Sequence, residues 1–554
     1  MTRFRWSLLT MLVAAAGLLP ASDAYAQGTT TAVISGRITD TEGQPLPNIQ
    51  ITVTNLSTGV VRNSISNEQG RYLVPGLPVG GPYTVAASAI GFASSEQENL
   101  RLTLGQNLAV DFVLRVQAVT LRGIDVLADR AQGQIINPGR TGAEQLVTER
   151  QIDNLPTISR NFTDFIQLSP LVGAGGGATS VGAQNNRFNN IQIDGATTQD
   201  LFGLGSTGQP GGQAGARSIS LEAVQEYQIL AAPFDIRQSG FSGGLINAVT
   251  KSGTNDLAGS VYAYYNNQDF ARDELEVGGD TFTFDEEFTN RILGASLGGP
   301  IIRDRAHFFL SAEFEKDERP GGFIAIGREA PTVTGVDPAD AQRFADLLAG
   351  YGATAGSFGA REDNSPNNNL FGRIDAQLSA NHHLTLRHNY VRAEDDVVVN
   401  RSTGSNYSFD SNWYFFESTT NSSVLQLNST FGGLFNEFTG GYTRIRDRRS
   451  PNQTFPVVQV NVPNQAGTGT KRLIAGAEYF SQGNELDQDA FELTNNLSFT
   501  RGDHRITFGG QAQYFKFRNL FQAGKTGEWS FSSLDDLENG TPNFYRRSVP
   551  VAGV

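Results

Sequence analysis

Phe241–Asp256, FSGGLINAVTKSGTND, is the stretch that divides the chain. Gly243-Gly244 removes side chains where one backbone has to pass close to another. Leu245, Ile246 and Val249 form a short β-favouring run, which Ser252-Gly253-Thr254-Asn255 ends in a turn. Before this point the sequence is punctuated by glycine and mixed in period; after it the period settles to two residues. Leu370, Gly372, Ile374, Ala376 and Leu378 are apolar or small, with Phe371, Arg373, Asp375 and Gln377 between them. Phe308, Leu310, Ala312 and Phe314 alternate in the same way with His307, Ser311, Glu313 and Glu315. Ile506, Phe508, Gly510, Ala512 and Tyr514 do so with Arg505, Thr507, Gln511 and Gln513. Successive side chains on a strand point to opposite faces, and lipid touches only one of them. Alternation over ~10 residues is therefore the pattern of a membrane-crossing β-barrel strand.

Connection lengths agree with that reading. Short turns are expected near Ile302–Arg305, Ala380–His382, Gly432–Phe435 and Arg501–His504. Long polar connections fall near Asp269–Glu287, Glu318–Asn367, Asp395–Thr420 and Asp447–Asp487. Short turns on one side and long loops on the other are the asymmetry of an outer-membrane barrel. About nine barrel strands are expected, whereas plugged transporters use ~22. An unclosed sheet would expose strand edges to lipid. The chain is thus expected to be an N-terminal portion of a longer barrel, since Ser548–Val554 offers no closing amphipathic strand.

Composition narrows the alternatives. Lys and Arg total 42 against 56 Asp and Glu, a formal charge of −14 over 554 residues, which argues against a nucleic-acid partner. With no cysteine, disulfides and thiolate metal sites are excluded. The mean hydropathy of −0.28 is no obstacle to membrane insertion, because each barrel strand is only half apolar. At the N-terminus Arg3 and Arg5 precede an apolar run, Leu8–Leu19, and Ala24-Tyr25-Ala26 stands before Gln27. This is the layout of a secretory signal peptide over 1–26, cleaved between Ala26 and Gln27. The run is too short to cross ~30 Å of hydrocarbon as a helix.

Residues 31–115 contain about seven strand-length runs separated by turns such as Thr41-Glu42-Gly43 and Asn67-Glu68-Gln69-Gly70, the spacing of a β-sandwich. The order SGRITDTEGQPLPNIQITV then SNEQGRYLVPGLPVGGPYTV resembles the carboxypeptidase regulatory-like (transthyretin-like) domain. That resemblance implies a fold related to carbohydrate-binding modules and no catalytic centre. Residues 135–255 read as a mixed α/β unit. Ser159 is the expected N-cap of a short helix presenting Phe162, Phe165 and Ile166 on one face, with Pro170 closing it. NNIQIDGAT reads as a strand turning at Asp194-Gly195, and SISLEAVQEYQIL as a helical turn feeding a strand.

LPTISRNFTDFIQLSPLV, IQIDGA, LEAVQEYQIL and GGLINAVTKSGTN, in that order, resemble the plug of TonB-dependent outer-membrane receptors. With GASLGGPIIRDRAHFFLSAEFE they resemble the Oar-like branch, over roughly 31–520. The fold expected is mainly β: a sandwich at 31–115, a linker at 116–134, a small α/β plug at 135–255 and part of a transmembrane antiparallel β-barrel at 256–554. The resemblance implies import of an extracellular ligand (siderophore, glycan or peptide) and TonB, with its inner-membrane energising complex, as partner; the barrel's other contact is outer-membrane lipid. The linker holds a short extended run suited to adding as an edge strand to a partner sheet. Leu121, Ile124, Asp125 and Val126 are its candidate TonB-box residues. The alternative is an outer-membrane adhesion protein whose sandwich binds carbohydrate.

Other chemistry fails on context. Gly240-Phe241-Ser242-Gly243-Gly244 fits G-x-S-x-G, but a strand rather than a helix is expected after the serine. Gly203–Gly208 fits G-x-G-x-x-G with no βαβ unit around it. His382 and His388 would share a strand face ~20 Å apart, too far for one metal ion. Neither a catalytic residue nor a cofactor is assigned. Trp413, Tyr414, Phe415 and Phe416 read either as an aromatic girdle or as a ligand-stacking cluster.

Overall fold

The computed structural model describes residues 30–116 and 144–549, apart from 156, 158–159, 168, 174–179, 203–204, 206, 232–236, 239, 272–273, 278–279, 284–286, 321–334, 360, 399–404, 466 and 502–503.

The first unit is built from β1 (Ala32–Thr39), β2 (Gln50–Asn55), β3 (Val61–Ile65), β4 (Arg71–Leu77), β5 (Gly80–Ser88), β6 (Ser95–Leu102), β7 (Asn107–Ala109) and β8 (Phe112–Val113). One sheet runs β4-β1-β7 with β8 also on β1, the other β3-β2-β5-β6. Alternate residues such as Ile34, Ile51, Val53, Val74 and Val85 fill the space between the sheets, as period-two burial requires. The end of the unit carries two short strands, not one: β7 pairs Val33–Ser35 and β8 pairs Ile38–Thr39, while the Val110 carbonyl between them accepts from Tyr72 Oη (2.6 Å).

The second unit contains β9 (Glu144–Thr148), a small ribbon of β10 (Val172–Gly173) and β11 (Ser180–Val181), β12 (Asn190–Ile193), β13 (Ala196–Thr197), β14 (Val224–Leu230) and β15 (Leu245–Thr250). Its main sheet has the order β13-β12-β15-β14-β9. Asp194 (φ 47°) and Gly195 (φ 71°) turn β12 into β13, the left-handed pair that a two-residue hairpin needs. The helix Phe162–Ile166 buries Phe162, Phe165 and Ile166 as expected, but its cap is Asn161, not Ser159. Arg160 adopts φ 48°, so the chain turns there and the Asn161 side chain accepts from Thr163 N–H (3.3 Å). A Cβ on Gly244 would overlap Val181 Cγ1 and come within 3.0 Å of the Leu230 carbonyl, and one on Gly243 would overlap Asn189 Oδ1, so neither position has room for a side chain and a backbone does pass close to Gly244.

The wall follows: β16 (Ala258–Asn267), a ribbon of β17 (Glu274–Val277) and β18 (Asp280–Thr283), β19 (Thr289–Ile302), β20 (Ala306–Pro320), β21 (Glu362–Asn364), β22 (Asn367–Ser379), β23 (His382–Val398), β24 (Asn406–Ser408), β25 (Trp413–Phe431), β26 (Leu434–Pro451), β27 (Val457–Pro463), β28 (Thr470–Ala475), β29 (Asn484–Arg501), β30 (His504–Phe521), β31 (Glu528–Phe531) and β32 (Phe544–Arg546). Nine of these form one antiparallel meander, β16-β19-β20-β22-β23-β25-β26-β29-β30, with β21 added beside β20. The short turns at Ile302–Arg305, Ala380–His382 and Gly432–Phe435 fall where the sequence puts them, and the one expected at Arg501–His504 includes residues outside those described.

Burial in the wall is inverted relative to a water-soluble sheet. Leu310 and Phe314 are 50% and 48% exposed, while Glu313 between them is 1% exposed. The outer face of β29 is apolar from Phe491 to Phe499 but for Asn495, about 27 Å along the strand at ~3.3 Å per residue. Beyond it the same face turns charged: Arg446 pairs with Asp489 (2.9 Å), Arg448 with Asp487 (2.5 Å) and Arg518 with Glu485 (2.8 Å). Exposed pairs of this kind add little stability. They mark where the lipid-compatible surface stops. β25, at 19 residues or about 60 Å, therefore extends well past the apolar band.

The long connections are not independent loops. β24-β28-β27-β31-β32 form a second five-stranded sheet, covered by the helices Pro338–Gly350 and Leu534–Glu538. Phe344, Leu348, Tyr407, Phe409, Val460, Leu473, Phe531 and Leu537 share its core. Asp337 caps the longer helix by accepting from Ala339 N–H (2.8 Å), with Pro338 in its first turn. At the opposite, short-turn end sits the sandwich. There Leu104 N–H donates to Glu226 (2.5 Å), Arg62 Nη1 to the Ala380 carbonyl (3.2 Å), and Asn255 N–H to the Ser57 carbonyl (2.8 Å).

Candidate functional site

The inward face of the wall carries charges that need partners, because an unpaired buried charge is costly. The second unit supplies them. Asp194, at the tip of the β12–β13 hairpin, accepts from Thr250 N–H and Oγ1 (both 2.9 Å). Arg387 Nε lies 3.0 Å from Asp194 Oδ2, and Arg373 Nη1 lies 3.7 Å from Oδ1. Arg387 Nη2 also donates to the Ile193 carbonyl (2.5 Å), and Arg373 Nη1 to the Thr250 carbonyl (2.9 Å). Arg373 is held from behind by Asp375 (2.7 Å). Asp194 is thus gripped by two neighbouring wall strands.

A second contact forms on the other side. Arg217 pairs with Glu315 and lies 3.8 Å from Glu313; Arg160 is 3.6 Å from Glu313. Ser220 Oγ (3.1 Å) and Tyr262 Oη (2.7 Å) donate to the same carboxylate. Apolar contact continues the seam, since Phe309 and Phe371, inward residues of β20 and β22, join the core around Phe162, Phe165 and Tyr227. Burial, with Glu313 nearby, pushes the Tyr227 phenol above its ordinary range.

Toward the long connections the interior opens into a cavity of about 450 Å³. Phe202 and Gln213 bound it from the second unit, Phe416, Asp447 and Arg449 from β25 and β26, and Glu478, Phe480 and Phe521 from the rim. Phe202 meets Phe517 edge-on (5.6 Å between centroids). Arg449 is already engaged: Nη2 donates to Gln213 Oε1 (2.7 Å), and its guanidinium lies 4.9 Å from the Tyr414 ring centroid.

The candidate TonB-box residues Leu121, Ile124, Asp125 and Val126 and the cleavage pair Ala26 and Gln27 lie outside the described residues. The aromatic run 413–416 divides by register. Tyr414 and Phe416 are buried inward against Ala214 and Ala216, and Trp413 and Phe415 occupy the outer face. His382 and His388 are outward, bonded to Ser429 and Ser423 (2.8 Å each). Ser242 is followed by the strand Leu245–Thr250, the wrong context for a nucleophile elbow. The sequence reading singled out neither Asp194 as an anchor nor Arg160, Arg217, Arg387 and Glu478 at all. A usable signal existed: inward-register charges on β20, β22 and β23 call for opposite charges in whatever fills the interior.

A sheet that is oily outside and ionic inside, packed around a separate folded unit, defines an outer-membrane β-barrel protein. The outer membrane beta barrel domain family model matches residues 249–334 and 327–552, and the chain belongs to that family. The carboxypeptidase regulatory-like domain model matches residues 33–115. Among relatives, the chain is similar to the TonB-dependent transporter Oar of Myxococcus xanthus, 28% identical over 316 residues, which cover 54% of this chain and 28% of that protein. It is also similar to the probable TonB-dependent siderophore receptor PirA of Acinetobacter baumannii, 24% identical over 257 residues, covering 43% of this chain and 30% of the relative. The chain thus spans less than a third of the length of both. The solved outer membrane transporter YddB from Escherichia coli aligns with 70% of this chain and 50% of its own, at 12% identity and a TM-score of 0.49.

Proposed function

We propose that this chain works as a TonB-dependent receptor of the outer membrane. It takes an extracellular ligand at the long-connection end and admits it when energy relayed by TonB displaces the second unit. In this reading residues 1–26 are a signal peptide, 31–115 a periplasmic sandwich, 116–134 a linker carrying the TonB box and 135–255 a plug. No catalytic step is required, and the names of its relatives are those of receptors and transporters.

The observation that carries the reading is the seam around Asp194. The second unit is held in the wall by side-chain ion pairs and hydrogen bonds and by the apolar contacts of Phe309 and Phe371, while its own sheet is complete without the wall. Such a unit can be drawn out without unravelling the barrel. A pull on the linker would act on it directly, because β9, the first strand after the linker, pairs with β14 at the sheet's edge.

The test is capture of the purified periplasmic domain of TonB by the full chain in detergent. Deleting residues 119–128 should abolish capture while the strand content measured by circular dichroism stays unchanged. Undiminished capture by the deletion variant would overturn the proposal.

A further inference from the structure

The cavity at the long-connection end contains charges that the seam does not use. Asp447, 9% exposed, and Glu478, 5% exposed, both line it. Each keeps a buried carboxylate oxygen, Asp447 Oδ1 and Glu478 Oε2, with no hydrogen-bond partner among the described residues. Ser418 hydrogen-bonds the Asp447 carboxylate, and Arg448 and Arg449 lie near it, but Arg448 pairs with Asp487 and Arg449 is engaged by Gln213 and the Tyr414 ring. Around the two carboxylates stand Phe202, Phe416, Phe480 and Phe521. Burying a carboxylate oxygen without a hydrogen-bond donor is unfavourable, so such an atom persists where something else compensates it. Aromatic faces attract cations and repel anions, and they also accept apolar surface.

We propose that this cavity binds an organic cation: a primary ammonium or guanidinium group on an apolar or aromatic body, the charged end seated between Asp447 and Glu478 and the body against the phenylalanines. The inference rests on the receptor reading and narrows its ligand class. An anionic ligand would meet two carboxylates and a guanidinium already occupied. A neutral apolar ligand would leave both carboxylates unsatisfied.

Three probes of one shape separate these cases: 4-phenylbutylammonium, 4-phenylbutanol and 4-phenylbutyrate, titrated calorimetrically into the full chain in detergent. The ammonium should bind at least tenfold more tightly than the alcohol, and the carboxylate most weakly. The double variant Asp447→Asn/Glu478→Gln should lose at least tenfold in affinity for the ammonium and keep its affinity for the alcohol. Without ligand the double variant should melt no lower than the parent, since two buried and incompletely satisfied carboxylates have been removed; this excludes misfolding as the cause of the loss. Equal binding of ammonium and alcohol, tightest binding of the carboxylate, or full ammonium affinity in the double variant would each overturn the assignment. TonB capture does not involve the cavity: capture lost on deleting 119–128 with no cation preference sinks only this inference, and the reverse result sinks only the receptor reading.

Discussion

Asp194→Asn tests the seam most directly. The amide keeps the shape of the carboxylate and removes its charge. Arg387, whose side chain is fully buried, then faces a neutral group. Removing one partner of a buried ion pair costs about 3–5 kcal/mol. Arg373 retains Asp375 at 2.7 Å, so its share of the loss is small and the lower end, about 3 kcal/mol, applies. At 1.4 kcal/mol per tenfold, the second unit should open about 150-fold more often. Hydrogen exchange in detergent reads this at the amides of β12 and β15, which pair through Asn190–Ile193 and Leu245–Ala248. Protection should fall there and stay unchanged in the sandwich and the five-stranded outer sheet. Adding Arg387→Gln should recover part of the loss, because the stranded charge goes with it. A change under threefold at β12 and β15, or strictly additive costs in the double variant, would refute the claim that this pair anchors the unit.

Three further outcomes are expected. Gly244→Ala should destabilise the second unit by about 1–3 kcal/mol, since its Cβ would meet Val181 and approach the Leu230 carbonyl to 3.0 Å; the same exchange measurement reads it, and an unchanged profile would contradict the close approach. Leu310→Arg should cost folding into lipid vesicles about 2–4 kcal/mol, whereas Arg at the water-exposed Lys316 of the same strand should cost almost nothing. Phe344→Ala should cost the outer sheet about 3–5 kcal/mol and expose 452–483 to protease while the wall stays intact; loss of both together would show that the two are one cooperative unit.

The wall was legible because its signal is local. Leu370, Ile374 and Leu378 alternate with Phe371 and Asp375 within nine residues, and the structure exposes the first three and buries the other two. The turn at Asp194-Gly195 was legible for the same reason. What Asp194 does was not, because Arg387 is 193 residues away in sequence and only the folded wall around the second unit brings the two together. The cap of Phe162–Ile166 was misplaced by two residues because both Ser159 and Asn161 are good caps, and the backbone turn at Arg160 decides between them. The outer sheet was missed altogether. Its core is scattered over Phe344, Tyr407, Val460 and Phe531, and no single connection shows enough periodicity to announce a fold.

That scattering fixes an order of assembly. β24, β27, β28 and β31 come from two connections and the stretch after β30, separated in sequence by the longest wall strands, β25, β26, β29 and β30. Their ends cannot meet until those strands are in register, so the outer sheet has a high contact order and must form late. The same dependence runs backwards: a wall strand that slips its register pulls the small sheet apart with it.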